Sequence, residues 1–324
     1  MSAPVPPGRA PALRGPHAIR LADVDALNRV FSDAFTERYR RDGMVGVRVP
    51  YLDPRVWRYA IEDADGGALL WRDERDEIVA FNIVHQSGVE GWMGPLAVRP
   101  DRQRHGVGRT VVRAGIDWLR RRRAQVIGLE TMPRTMDNIG FYSRLGLVPG
   151  RLTITLALDA APADAPVPLL GALRGAARDE AMRACLALTQ AQLPGYDFTR
   201  ELQLTLELGL GDVVLRHDRG VLTGFALFHA APLVEGRPRE ELRVLKVVLA
   251  REPDIVPLAV QLAAAARAAG TRHVAIRMQA EYLVAYRALI GLGARVRWTD
   301  LRMVLTGCEE ARAATGLVLS NWEI

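Results

Sequence analysis

A short apolar segment occurs twice in this chain, and its copies lie almost half a chain length apart. Ala80-Phe81-Asn82-Ile83-Val84-His85 is echoed 144 residues later by Gly224-Phe225-Ala226-Leu227-Phe228-His229, and Tyr142 recurs as Tyr286 at the same offset. Repetition at one long period marks a tandem array of a single structural unit. At 324 residues one hydrophobic core reaches its usual upper size, so two units of about 150 residues suit the length. The segment DAAPADAPVP at 159–168, with three prolines among small residues, reads as the linker between them. The expected organisation is a flexible start (1–16), a first domain (17–158), the linker and a second domain (169–324).

The order of elements supports the duplication. In the first half a strand-like Ala18 to Leu21 precedes an amphipathic helix from Val24 to about Arg40, with Leu27, Val30, Phe31 and Phe35 on one face. A shorter helix around Pro54 to Ile61 is followed by three strands, Ala68 to Arg72, Ile78 to His85 and Gly91 to Val98. The turns between them, DERDE and QSGVEG, suit antiparallel hairpins. After Pro100 the apolar spacing becomes helical through Val107, Val111, Val112, Ile116 and Leu119. A strand (Val126 to Glu130), a helix (Met136 to Leu145) ended by Gly146 and a strand (Leu152 to Leu158) complete the unit.

The second half gives strand, helix, strand, helix, strand at Leu242 to Leu249, Ile255 to Ala269, His273 to Met278, Tyr282 to Leu292 and Leu301 to Leu305. The fold class is α+β, two tandem domains, each a mixed, mostly antiparallel sheet flanked by helices.

Composition narrows the functions. Residues 1–150 carry 23 Arg against 18 acids, and the remainder 20 basic against 19 acidic residues, so the front half favours an anion. The chain holds one Lys, Lys246, and no basic stripe interleaved with aromatics, which argues against nucleic acid. The arginines 120–123 close a helix and complement its dipole. No apolar run approaches the roughly 18 residues of a membrane span, and Pro4 to Pro16 lacks the apolar core of a signal peptide, so a cytoplasmic chain without a membrane partner is expected. Cys185 and Cys308 have no metal-ligand spacing and read as buried thiols. The apolar ending Gly316 to Trp322 reads as a packed terminal segment.

The chemistry points to Leu96-Ala97-Val98-Arg99-Pro100-Asp101-Arg102-Gln103-Arg104-His105-Gly106-Val107-Gly108-Arg109, which runs strand, loop, helix start. Gly106 and Gly108 allow a tight turn and close backbone approach, and the first amides of the next helix lack intrahelical partners. Such amides at a positive helix end form a cradle for a pyrophosphate. A Walker loop would need Lys-Ser/Thr after its last glycine, where Arg109-Thr110 stands. A dinucleotide fingerprint would need glycine at Val111.

This segment resembles the coenzyme-binding motif of the GNAT superfamily of N-acetyltransferases, Gln/Arg-x-x-Gly-x-Gly/Ala, here Gln103 to Gly108. Leu96 to Pro100 resembles the family's strand ending in Val-x-Pro, and Phe141-Tyr142-Ser143-Arg144-Leu145-Gly146-Leu147 its helix ending in Tyr-x-x-x-Gly-Phe. The resemblance covers 17–158 well, and the rest in element order only. It implies an acetyl-CoA-dependent N-acyltransferase without a metal. Leu96, Ala97, Val98, Gln103, Arg104, His105, Gly106, Val107, Gly108 and Arg109 would bind the coenzyme, with Leu96 and Val98 bonding the pantetheine arm. The Val98 N–H would polarise the thioester, and Tyr142 would act as general acid.

The sequence departs from the family at Thr135, where asparagine is usual, and at Asn138, where alanine is common. The amine's base stays open among Glu90, His85, Glu130 and a water relay. The acceptor is expected to be a small-molecule amine, with a protein lysine or a non-catalytic acetyl-CoA sensor as alternatives, and the chain to be a monomer or homodimer. In the second half, Ala250-Arg251-Glu252-Pro253-Asp254-Ile255-Val256-Pro257 replaces the glycine loop. Two prolines remove amide donors and two acids oppose a pyrophosphate, so this copy is expected to be silent.

Overall fold

The computed structural model describes residues 13–163, 165–313 and 315–322. The expected flexible start therefore lies largely outside the described residues. In the front half β1 (Arg14–Ala18) leads to α1 (Val24–Arg41) and α2 (Pro54–Asp63). The antiparallel run β2 (Ala68–Arg72), β3 (Ile78–Ser87), β4 (Glu90–Val98) follows. Next, α3 (Val107–Arg121) crosses to β5 (Val126–Thr131), and α4 (Met136–Ser143) to β6 (Leu147–Asp159).

The rear half repeats this series. It contains α5 (Gly175–Gln192), α6 (Thr199–Glu207), β7 (Gly211–Asp218), β8 (Val221–His229) and β9 (Glu241–Leu249). Then come α7 (Ile255–Ala268), β10 (His273–Gln279), α8 (Leu283–Gly291), β11 (Arg295–Leu305) and one added strand, β12 (Leu317–Ser320).

The local signals act as their chemistry dictates. Asp53 caps α2, its side chain accepting from the Arg55 amide at 2.9 Å, and Pro54 fills the first helical position. The α1 stripe Leu27, Val30 and Phe31 is buried. The first strand lies earlier than the sequence reading put it. Leu21 to Asp23 forms a 3-10 turn, because the Asp23 carboxylate accepts from the Arg20 amide (2.8 Å) and starts the helical chain there.

One sheet spans both halves, in the order β1-β2-β3-β4-β5-β11-β6-β10-β9-β8-β7. The last strand of each half is exchanged. Rear strand β11 enters between β5 and β6, antiparallel to both, while front strand β6 pairs with rear strand β10 from Thr153↔Gln279 to Asp159↔His273. Helices cover both faces. In the front half α1 and α2 pack on Leu70, Phe81, Ile83 and Ala97, and α3 on Ala80, Val84, Met93, Ile127 and Leu129.

The repeated histidines are structural in both copies. His85 Nδ1 lies 2.8 Å from Asp63 at the end of α2, and His229 Nε2 lies 2.9 Å from Thr205 of α6. The tyrosine echo has a different basis. Gly146 and Gly293 each leave their helix at φ 90°. Tyr142 stands four residues before the first and Leu289 four before the second, while Tyr286 is one turn earlier. The rear equivalent of Tyr142 is thus a fully buried leucine.

Candidate active site

The site begins where β4 leaves β5. The two strands pair in parallel from Glu90↔Val126 to Met93↔Leu129 and then part. Gly94 and Pro95 disrupt the ladder to β3 at the same point, where the register slips between Asn82 and Val84, and Pro95 has no N–H to continue it. Pairing with β3 resumes at Asn82↔Leu96 and runs to Ala80↔Val98, with the Arg99 amide bonded to the Val79 carbonyl at 2.8 Å.

That bond fixes the phase of the ladder. Residues alternate between facing a neighbour and facing away, so the backbone groups of Ala97 face β3 and those of Leu96 and Val98 face the gap. The backbone of Ala97 is therefore committed to β3. The Val98 carbonyl is already met by Gln103 Nε2 at 2.9 Å. Gln103 thus braces the loop against β4, leaving the Val98 N–H and both backbone groups of Leu96 on the open side.

The loop is held from behind by ion pairs. Arg99 reaches Asp73 (3.1 Å), Glu77 (3.0 Å) and Asp101 (2.7 Å), and Arg102 also reaches Asp73 (3.1 Å). Asp73 is buried beneath them, and backbone bonds from Glu77 and Arg75 together with Arg99 hold its carboxyl below the usual range despite burial. In front of this anchor the chain turns through left-handed Arg104 (φ 67°) and Gly106 (φ 82°) into α3. Among the described residues the amides of Arg104, His105, Gly106, Val107, Gly108 and Arg109 have no acceptor in the chain; the next bonded amide is that of Thr110, to the Gly106 carbonyl.

Arg104, His105, Gly106 and Arg109 are exposed, and the first turn of α3 holds no acid. Consecutive free amides at a helix start form an anion cradle. A Cβ on Gly108 would stand 3.3 Å from Phe141 Cζ and 3.9 Å from Val98 Cγ2, so this glycine lets α3, α4 and β4 close together.

Tyr142 lies on the α3 face of the gap, in one cluster with Leu96, Val98 and Val111, and burial pushes its phenol up to about 12. Thr135 points elsewhere, donating to Asp42 at 2.9 Å. The three carboxylate and imidazole candidates for the base separate clearly. Glu90 is buried at the root of β4, accepting from Trp92 Nε1 (2.9 Å) and Ser320 Oγ (2.6 Å), and His85 is committed to Asp63. Glu130 is the first β5 residue beyond the fork, where it contacts Thr153 (2.8 Å) and Arg277. Burial raises its carboxyl, but Arg277 and Arg302 outweigh burial and hold it low.

The rear half carries the same fork, differently filled. By the β3 and β8 equivalence, Glu241 to Val244 correspond to Glu90 to Met93, and they pair with β10 just as the front segment pairs with β5. Beyond Val244 the strands part, and β12 enters: Leu317↔Leu249, Val318↔Val248, Leu319↔Val247, Ser320↔Lys246. The counterparts of Leu96 to Val98 are thus already hydrogen-bonded to the chain's own C-terminal strand. The rear loop is also occupied, since Glu252 Oε1 accepts from the Ala285 amide (3.0 Å) at the start of α8 and Asp254 pairs with Arg251 (2.8 Å). The terminal segment is packed as expected, and its role as a fourth partner in the rear fork was not legible in four apolar residues.

This fork, opening onto a glycine loop and helix start, is the candidate site. Residues 26–147 match the model of the acetyltransferase (GNAT) family. Residues 26–147 are therefore a GNAT domain, and the rear half repeats its fold in tandem. The chain's fold resembles a candidate acetyltransferase from Pyrococcus horikoshii (TM-score 0.65, 17% identity, 94% of this chain and 92% of that one). It also resembles a tandem GNAT protein of the clavulanic acid biosynthesis pathway (0.58, 15%, 90% and 98%). A third likeness is to Saccharomyces cerevisiae N-myristoyltransferase (0.62, 9%, 97% and 86%). At these identities the likeness speaks for fold alone. No curated protein sequence matches the chain significantly. Among the described residues no helix is long and apolar enough to cross a membrane.

Proposed function

We propose that the front half binds one acetyl-CoA and transfers its acetyl group to a primary amine by direct attack. The observation that carries this reading is the fork beside Leu96 and Val98, whose rear counterpart accepts an extended amide-bearing strand along its whole open edge. An arm with amide groups, such as pantetheine, meets the same donors and acceptors in front. The free amides of Arg104 to Arg109 then receive a pyrophosphate, with exposed Arg104 and Arg109 beside them.

The Val98 N–H, fixed by the β3 ladder and by Gln103 behind it, donates to the developing oxyanion as the amine attacks. The amine nitrogen gains the acyl carbon and loses a proton, and the C–S bond breaks to leave a thiolate. Tyr142 stands on the leaving-group side. A phenol held near 12 would lose about 5 kcal/mol in handing its proton fully to a thiolate whose conjugate acid has pKa about 8.5. Tyr142 accordingly donates a hydrogen bond to the departing sulfur, and the proton reaches the thiolate through solvent. Thiol release from acetyl-CoA against a set of amines, with binding measured alongside, tests this. Binding without turnover on any amine would leave a coenzyme sensor, and absence of binding would remove the reading.

A further inference from the structure

The strand exchange brings rear residues to the front fork, on the face opposite Tyr142. Leu129 packs on the α3 face with Tyr142, so its neighbour Glu130 points to the α1 face. Strand β11 pairs with β5 at Arg302↔Glu130 and Leu301↔Thr131, and Asp300 follows at the lip where this pairing ends. There Arg277 Nη2 of β10 clasps both carboxylates, lying 3.1 Å from Asp300 Oδ2 and in close contact with Glu130 Oε2.

We propose that Asp300, supplied by the rear half, receives the acceptor's primary ammonium at the front fork. This rests on the acyl-transfer reading above. Two carboxylates share the single Arg277 guanidinium, and their other partners are unequal. Glu130 also has Arg302 at 3.7 Å and the Thr153 hydroxyl at 2.8 Å, whereas among the described residues Asp300 has, besides Arg277, only the neutral Trp298 Nε1, at 3.1 Å. Asp300 is thus the carboxylate short of positive charge. Its carboxyl is pushed up by burial and by Glu130, while that of Glu130 is held down. Its side chain keeps 16% of its exposure, so a small cation can reach it.

Aromatic and cationic side chains surround Asp300 at this partly exposed lip. Tyr39 of α1 is near enough to feel both Asp300 and Arg134, Arg134 lies over the Trp298 ring at 5.2 Å, and Trp298 is 39% exposed. An amine held at Asp300 stands on the sheet face opposite Tyr142, so the attacking and leaving groups have separate sides of the fork.

The test uses the full chain with n-butylamine, spermidine, glucosamine and lysine ethyl ester as acceptors and acetyl-CoA as donor. With the best of these, Asp300→Asn should raise the amine KM at least tenfold, as for a lost charged hydrogen bond, leaving kcat within about threefold and acetyl-CoA Kd unchanged. Trp298→Phe, which keeps the carboxylate but frees it, should raise the amine KM about threefold, and it decides the matter if the first variant does not fold. A purely structural ion pair would move Kd for acetyl-CoA and the amine KM together. An unchanged amine KM in both variants overturns the proposal, as does a wild-type chain that binds acetyl-CoA yet accepts none of the amines. A chain that binds no acetyl-CoA overturns the acyl-transfer reading itself.

Discussion

The front and rear forks have the same backbone and opposite contents. Each opens after four parallel pairs, between Met93 and Leu129 in front and beyond Val244 behind. In the rear, β12 fills the opening and Leu289 stands where the front has Tyr142. In front, the opening faces Tyr142 and a loop of unbonded amides. A fork leaves backbone groups that must find partners. One copy meets this need with its own chain, and the other leaves it open.

That contrast can be broken first at the rear filling. Leu319 is buried among β9, α7 and β10 side chains, so Leu319→Ala should cost about 3 kcal/mol of stability, with acetyl-CoA affinity unchanged. Denaturant unfolding beside coenzyme titration checks both halves of the expectation. Lost coenzyme binding in a folded variant would mean that the two forks are not independent.

The next expectation concerns the front fork alone. Tyr142→Phe should lower turnover by about 10²-fold with little change in acetyl-CoA Kd. Because burial keeps this phenol protonated up to about 12, the wild-type rate should show no loss from its ionisation between pH 7 and 10. A Phe variant with full turnover would assign the sulfur's stabilisation to water.

A smaller effect is expected at Gly106. Its Cβ would meet no atom of the chain, but its φ of 82° disfavours a β-branched side chain, which would also stand over the open amides. Gly106→Val should weaken acetyl-CoA binding about tenfold, measured by calorimetry, while Gly270→Val at a rear turn with φ 74° should leave it unchanged. Equal effects at both would show a general loss of stability rather than a damaged cradle.

The elements of each fork were legible in the sequence because they are local. Helical spacing through Val107 to Leu119, the turn acids around Asp73 to Glu77 and the glycines before α3 each act within a few residues. The exchange of β6 and β11 was not legible, since both strands alternate equally well beside either partner. For the same reason Asp300, Arg277 and Trp298 gave no sign that they belong to the front fork. The tyrosine echo misled because equal chain offset is not equal helix position. The bonds that Ala97 makes to β3 and Gln103 to the Val98 carbonyl depend on the ladder phase, which the sequence does not show.

The seam between the halves offers the smallest effect. Glu201 of α6 accepts from Ser87 of β3 and lies 3.7 Å from Lys246, and burial, reinforced by Asp63, pushes its carboxyl up from the ordinary 4.5 to about 7. A carboxyl raised on folding holds its proton in the native state, so its stabilising contribution is full below about 4.5 and lost as pH rises through 7. Glu201→Gln should therefore flatten the decline in stability between pH 5 and 8, read by urea midpoints. An unchanged slope would place the pH dependence elsewhere.

Stoichiometry tests the contrast between the forks most directly. Calorimetric titration of the full chain with acetyl-CoA should give one molecule per chain, and Gly106→Val should weaken that single site. Two sites per chain, or one site indifferent to Gly106, would contradict the assignment of an open front fork and a filled rear one.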